Sequence, residues 1–205
     1  MTNYTLNISF TDQQLQDIAK TGTRVTIGKQ LEGGSPNVAW QSFKPLVRNE
    51  VKWEEQYGIY ASSTEIVHGA ILTQLTCTPI GVSTGKLYTL EETGVISGLS
   101  TGGKVNSFAL LNEFNNKDYM TIGLFQDALV NGTTITGNAV SAVPVLLAST
   151  AIMTPSTILY IWLQSETSGN SIVTTVTSPM TELSFGGGVI DISVSYDTAS
   201  GKFIS

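Results

Sequence analysis

The stretch NYTLNISFTDQQLQDIAKTG, residues 3–22, changes its hydrophobic period once, and that change sets how the rest of the chain is read. In the first half Tyr4, Leu6, Ile8 and Phe10 alternate with Asn3, Thr5, Asn7 and Ser9. Successive side chains of a strand point to opposite faces, so the pattern predicts a half-buried strand. In the second half Leu15, Ile18 and Ala19 recur at helical spacing. Thr11 is placed to cap this helix, Gln14 to complete a capping box, and Phe10 and Leu15 to staple its entry. Asp12 and Lys20 each sit at the end of the helix dipole that favours their charge. Gly22 suits the left-handed residue that ends a helix. A helix over residues 12–21 is too short to stand alone and must be held by packing its apolar stripe on a sheet.

After Gly22 the helical period does not return. β-rich runs at 23–30, 37–43, 50–62, 65–78, 86–91, 105–112, 119–126, 143–149, 157–166, 171–177, 180–185 and 189–197 alternate with turn chemistry. The turns are GGSPN, IGVSTG, SGLSTGGK, NNKD, NGTT, TSGN, SFGGG and TASGK. The expectation is an all-β fold: an antiparallel β-sandwich of roughly 10–12 strands with one short N-terminal α-helix. No linker or internal repeat divides it, so residues 1–205 are read as a single domain.

The 205 residues are 41% hydrophobic but only 13% charged, with a formal net charge of −6. That charged fraction is about half the usual share, and Thr, Ser, Asn and Gly replace it. No Lys or Arg cluster occurs, so nucleic acid is not an expected partner. Attraction to anionic lipid by charge alone is also disfavoured. His68 and Cys77 are the sole histidine and cysteine. An intrachain disulfide, a multi-thiolate metal site and a multi-histidine zinc site are therefore excluded. Any Ser-His-Asp triad would need His68, which EIVHGAIL places on a strand face with Ile66 and Ala70. Cys77 reads as a small buried hydrophobe. Glu54/Glu55 and Glu91/Glu92 are adjacent pairs that would point to opposite strand faces, not across a cleft. SFGGGVID lacks the lysine of a phosphate-binding loop. These exclusions predict a protein that is not an enzyme, with no cofactor and no metal. The N-terminus lacks a basic, apolar leader and no run is long enough for a membrane-spanning helix, so synthesis and first residence in the cytoplasm are expected, with release by a route that needs no signal peptide left open.

EVKWEEQYGIYAS, residues 50–62, poses the main functional question. Strict alternation places Glu55 on one face with Val51, Trp53, Tyr57 and Ile59. A β-bulge near Glu54–Gln56 would turn Glu55 to solvent. Glu55 could instead be a carboxylate in an aromatic cleft, or a half-buried partner of Lys44 or Arg48. Trp40, Trp53, Tyr57, Tyr60, Tyr160 and Trp162 are concentrated in three segments. Aromatic faces beside amides and hydroxyls suit sugar rings and lipid headgroups; the same rings also build sandwich cores. LVNGTTITGNAVSAVPVLLAS, residues 129–149, is uncharged, and Asn131-Gly132 is a hairpin-turn pair. Neutral strands offer little resistance to edge pairing, so a homo-oligomer is expected.

The leading expectation is a non-enzymatic recognition protein, lectin-like or toxin-like, that binds a glycan or lipid surface through Trp40, Trp53, Glu55, Tyr57 and Tyr60. The alternative is a structural protein that assembles into particles, fibres or inclusions. In composition the chain resembles compact all-β toxins and lectins of the aegerolysin and actinoporin kind; the resemblance covers no defined span and carries over no site residue.

Overall fold

The computed structural model describes residues 2–31 and 34–205; the turn expected at GGSPN begins at Gly33, outside the described residues. In chain order the first elements are β1 (Asn3–Ser9), α1 (Asp12–Thr21), β2 (Thr23–Leu31), β3 (Val38–Ala39), β4 (Gln41–Phe43), β5 (Arg48–Glu54), β6 (Gly58–Ser62) and β7 (Gln74–Cys77). Then follow β8 (Lys86–Leu90), β9 (Ile96–Thr101), β10 (Phe108–Asn112), β11 (Tyr119–Val130), β12 (Thr133–Ala139) and β13 (Val143–Leu146). The last are β14 (Thr150–Met153), β15 (Pro155–Ser165), β16 (Ser171–Ile172), β17 (Thr181–Ser184), β18 (Asp191–Asp197) and β19 (Lys202–Ile204).

A nine-stranded sheet runs β19-β18-β1-β5-β11-β6-β7, with β12 and β13 both on the far edge of β11. Two four-stranded sheets, β17-β15-β2-β4 and β14-β10-β8-β9, share one core with it. Leu6, Ile8, Val51, Ile122 and Leu124 enter that core from the large sheet, Val25, Ile27 and Ile161 from the second, and Leu90 and Leu110 from the third. The opposite face of the large sheet is covered locally, where Tyr60 and Phe125 pack with Val38, Leu72 and Ile172 near the β3–β16 pair.

The first stretch folds as its periods dictate. Tyr4, Leu6, Ile8 and Phe10 are all buried. Thr11 caps α1, both halves of the capping box with Gln14 are present, and Gly22 ends the helix at φ 64°. Asn131 and Gly132 turn β11 into β12 with φ of 50° and 78°, the double left-handed geometry of a tight hairpin.

Three expectations are corrected. The chain is all-β, but its sheets are mixed: β1 runs parallel to β18 and β8 parallel to β10. Alternation identifies strands but carries no information on their direction, and neither pair is joined by a hairpin. Nineteen strands form among the described residues, because two runs break in two and β9, β12, β14 and β19 form in segments read as turns or left unassigned. Residues 37–43 split at Trp40 and residues 50–62 split at Glu55–Tyr57. Within 65–78 only Gln74–Cys77 is a strand; the backbone before it bonds instead to 170–172, with Gly69 N donating to Ile172 O and Leu72 N to Asn170 O.

Candidate functional site

The break in residues 50–62 organises the site. β5 and β6 follow one another along a single edge of β11, which pairs with β6 at Thr121–Phe125 and with β5 at Leu129–Val130. Between them the ladder is interrupted, and the buried Gln126 fills the gap. Its Nε2 donates to Glu54 O at 2.7 Å and to Gln56 O at 3.0 Å. Glu55 N donates to Thr2 O at 2.9 Å. The strand is interrupted where a bulge was expected, but Glu55 is not turned outward. Its side chain is 23% exposed and lies beside a cation that sequence reading had not paired with it.

That cation is Lys29. Val25 and Ile27 are wholly buried in the core, and period two carries the side chain of Lys29 to the same face of β2. Lys29 is 5% exposed. Its Nζ lies 4.8 Å from the Trp40 ring centre, 4.9 Å from Trp53 and 5.5 Å from Tyr57. Glu55 Oε2 is 3.7 Å away, and Glu55 Oε1 accepts a 2.6 Å hydrogen bond from the Tyr57 hydroxyl. Three π faces and one carboxylate therefore enclose an ammonium group. Trp40 is held in place by Nε1 donating to Gln126 O at 3.0 Å, and Trp53 stands edge-on to it at 5.7 Å. Trp53 Nε1 has no hydrogen-bond partner among the described residues.

Removal from water disfavours charge, and the titrations follow. Burial lowers the Lys29 pKa to about 8, with Glu55 opposing the shift. Burial, and then the Glu55 charge, push the Tyr57 hydroxyl well above its ordinary value. Tyr4, beside Trp53 at 5.5 Å, is raised by the same two causes in the same order.

Of the five residues singled out in sequence, Trp40, Trp53, Glu55 and Tyr57 converge on Lys29. Tyr60 does not: it faces the other side of the large sheet and donates to Ser141 O at 2.7 Å. Trp40 and Tyr60 are 0% exposed, Trp53 5% and Tyr57 4%, so none offers a free ring face to solvent. Lys29 was missed, although the alternation Val25-Ile27-Lys29 marked it.

Lys29 also lines a cleft of about 540 Å³ with Ser35, Asn37, Ser141 and Thr154. A wider depression of about 720 Å³ lies over β18, β1 and β5, where Asn7, Ser9, Asn49, Asn131 and Ser193 surround Leu46 and Arg48. His68 is exposed in a loop, its Nδ1 accepting from Thr174 N at 3.1 Å, with neither acid nor nucleophile bonded to it among the described residues. Cys77, read as buried, is exposed on β7, because the outward positions of that edge strand are Leu75 and Cys77. Among the described residues no group of three or more His, Cys, Asp or Glu is placed to hold a metal ion, and no helix is long and apolar enough to cross a membrane. Comparison of the chain with protein-family models, curated proteins and solved structures found no match.

Proposed function

We propose that the protein is a non-enzymatic building block that associates with copies of itself, pairing strand edges into particles, fibres or inclusions. We take its three larger sheets as one elaborated sandwich domain. The observation that carries this reading lies at the ends of the sheets. β7 (QLTC) ends the nine-stranded sheet and β9 (ISGLST) ends a four-stranded one. Neither contains a charged residue or a proline, the devices that usually keep edges from pairing with other chains. Leu75 on β7 is 53% exposed, and Val95 at the entry to β9 is 57% exposed. The test is sedimentation of the purified chain without ligand, beside the variant Leu75→Lys. Concentration-dependent growth in mass that the added charge reduces supports the proposal. A wild-type chain that stays monomeric up to about millimolar concentration, where effective local encounter is reached, ends it.

A second reading keeps glycan or lipid-surface recognition but moves it away from the sealed aromatics. The wide depression over β18, β1 and β5 is lined by amides and hydroxyls around the half-exposed Leu46, a mixture that suits a sugar's polar rim and apolar ring face. Glycan-array binding that Asn7→Ala weakens would favour it. Silence on glycan arrays and in liposome dye release would remove it.

A further inference from the structure

We infer that the cleft between β4 and the β11–β12 hairpin binds a small monocarboxylate with an apolar chain, held at its charged end by Arg24 and Gln41. The cleft has a volume of about 460 Å³, within the range of small-molecule sites. Period two sets its walls. Gln41 and Phe43 on β4 stand opposite Ile27 and Val25 of β2, so their side chains turn to the same face as those two core residues. Phe43 and, from β12, Ile135 are half-buried against the core, and Val130 of β11 adds a third apolar side chain. Arg24 lines the same cleft.

Two observations point to an anionic occupant. The first is that Arg24, half-buried, has no ion-pair partner among the described residues. Its Nε donates to Ser42 Oγ at 3.0 Å and its Nη2 to Ser42 O at 2.9 Å, while Ser42 Oγ donates to Thr167 O at 2.7 Å. These bonds occupy one edge of the guanidinium and fix its plane. Nη1 and the second Nη2 proton remain as an end-on fork that matches the two oxygens of a carboxylate. The second observation is Gln41, 2% exposed, whose Nε2 has no hydrogen-bond partner among the described residues. Buried amide donors are rarely left unpaired. With no bond to break, this amide can turn its nitrogen to a carboxylate oxygen seated on Arg24. No Asp or Glu lines the cleft to oppose an anion. One cation suits one negative charge, whereas a phosphate group would bring close to two into a chain of net charge −6. Phe43, Val130 and Ile135 then favour a carboxylate with a hydrocarbon chain over a bare one. No residue of β7 or β9 lines the cleft, so the inference stands apart from the assembly reading.

The test is titration of the intact, isotope-labelled protein with octanoate, octanol and inorganic phosphate, followed by nitrogen–proton NMR. Octanoate should bind saturably with a Kd at or below about 1 mM. It should shift the Arg24 Nε–H and Gln41 side-chain amide signals and leave Asn7, in the depression over β18, β1 and β5, unmoved. Octanol and phosphate should each bind at least ~10-fold more weakly, the factor expected when a hydrogen bond to a charged group or the apolar contact is lost. Arg24→Lys, which keeps the charge and removes the fork, should weaken octanoate binding at least ~5-fold. No saturation by octanoate up to about 10 mM overturns the inference, as do octanol or phosphate binding as tightly, or shifts that spare Arg24 and Gln41. A folded Arg24→Lys variant that binds like the wild type overturns it too, and if that variant fails to fold, the comparison of ligands on the wild-type protein decides alone.

Discussion

At the scale of single residues, Lys29 sets the strongest constraint on conditions. Its ammonium is desolvated, and Glu55, largely buried itself, only partly compensates. An unfolded lysine holds its proton up to about pH 10.5, whereas the folded one releases it near pH 8. Between those values the unfolded chain binds more protons, so stability must rise with pH across this window and fall back as pH drops through the folded pKa. We expect chemical denaturation to show a gain of about 2 kcal/mol from pH 8 to pH 10, an order-of-magnitude figure from the linkage relation. Lys29→Met should flatten that rise. The gain should reverse above pH 10, because buried Tyr57 resists the ionisation that unfolded tyrosines undergo. A flat profile in the wild type would show that the amine is not desolvated. The pair behind this effect was half legible. Val25-Ile27 points to Lys29 and Val51-Trp53 points to Glu55, each by period two. What no single sequence states is that β2 and β5, in different sheets, face one another across the core. Nearness along the chain suggested Lys44 and Arg48 instead.

At the scale of elements, the interruption between β5 and β6 is stabilised by one side chain. The two hydrogen bonds from Gln126 satisfy carbonyls that lose their ladder partners where the pairing with β11 lapses. Gln126→Leu removes both bonds and leaves Glu54 O the one it accepts from Gln56 N at 2.8 Å. A loss of roughly 1–3 kcal/mol in all is expected, with weakened near-ultraviolet circular dichroism from Trp40 and Trp53. A loss within about 0.5 kcal/mol, as at ordinary surface positions, would mean that water takes over the role. The β11–β12 turn gives a second case. Gly132 has φ 78°, with open space where a Cβ would stand, so Gly132→Ala should destabilise by about 1 kcal/mol through backbone strain alone. Elements governed by local chemistry were readable: α1 from Thr11 and Gln14, this hairpin from Asn131-Gly132, and β1 from its alternation. Elements governed by distant partners were not. Parallel pairing of β1 with β18 depends on residues some 185 positions apart (Thr5 with Asp191, for example). EIVHGAIL is apolar enough for a strand, yet it meets 170–172 through an isolated bridge between Ile71 and Ser171 instead of a ladder.

At the scale of the whole molecule, the scarcity of charge becomes a statement about association. With a net charge of −6 over 205 residues and uncharged edges at β7 and β9, little electrostatic repulsion acts between copies. Two geometries follow from which edges meet. Pairing β7 with β7 about a two-fold axis is self-complementary and closes as a dimer, whereas pairing β7 with β9 is head-to-tail and continues as a filament unless the rotation closes a ring. Leu75→Lys blocks both; Val95→Lys, next to β9, blocks only the second. Salt separates this mechanism from charge pairing. Contacts made by backbone bonds and apolar side chains are not weakened when the screening length falls from about 10 Å to about 3 Å, whereas exposed ion pairs are. We therefore expect the weight-average mass in sedimentation to hold or grow as sodium chloride rises from about 0.1 M to about 1 M. Dissociation over that range would move the contact to charged surface such as Arg48, Glu50 and Lys52. A dimer that Val95→Lys leaves intact would fix the closed arrangement through β7, and filaments that the same variant shortens would fix the open one.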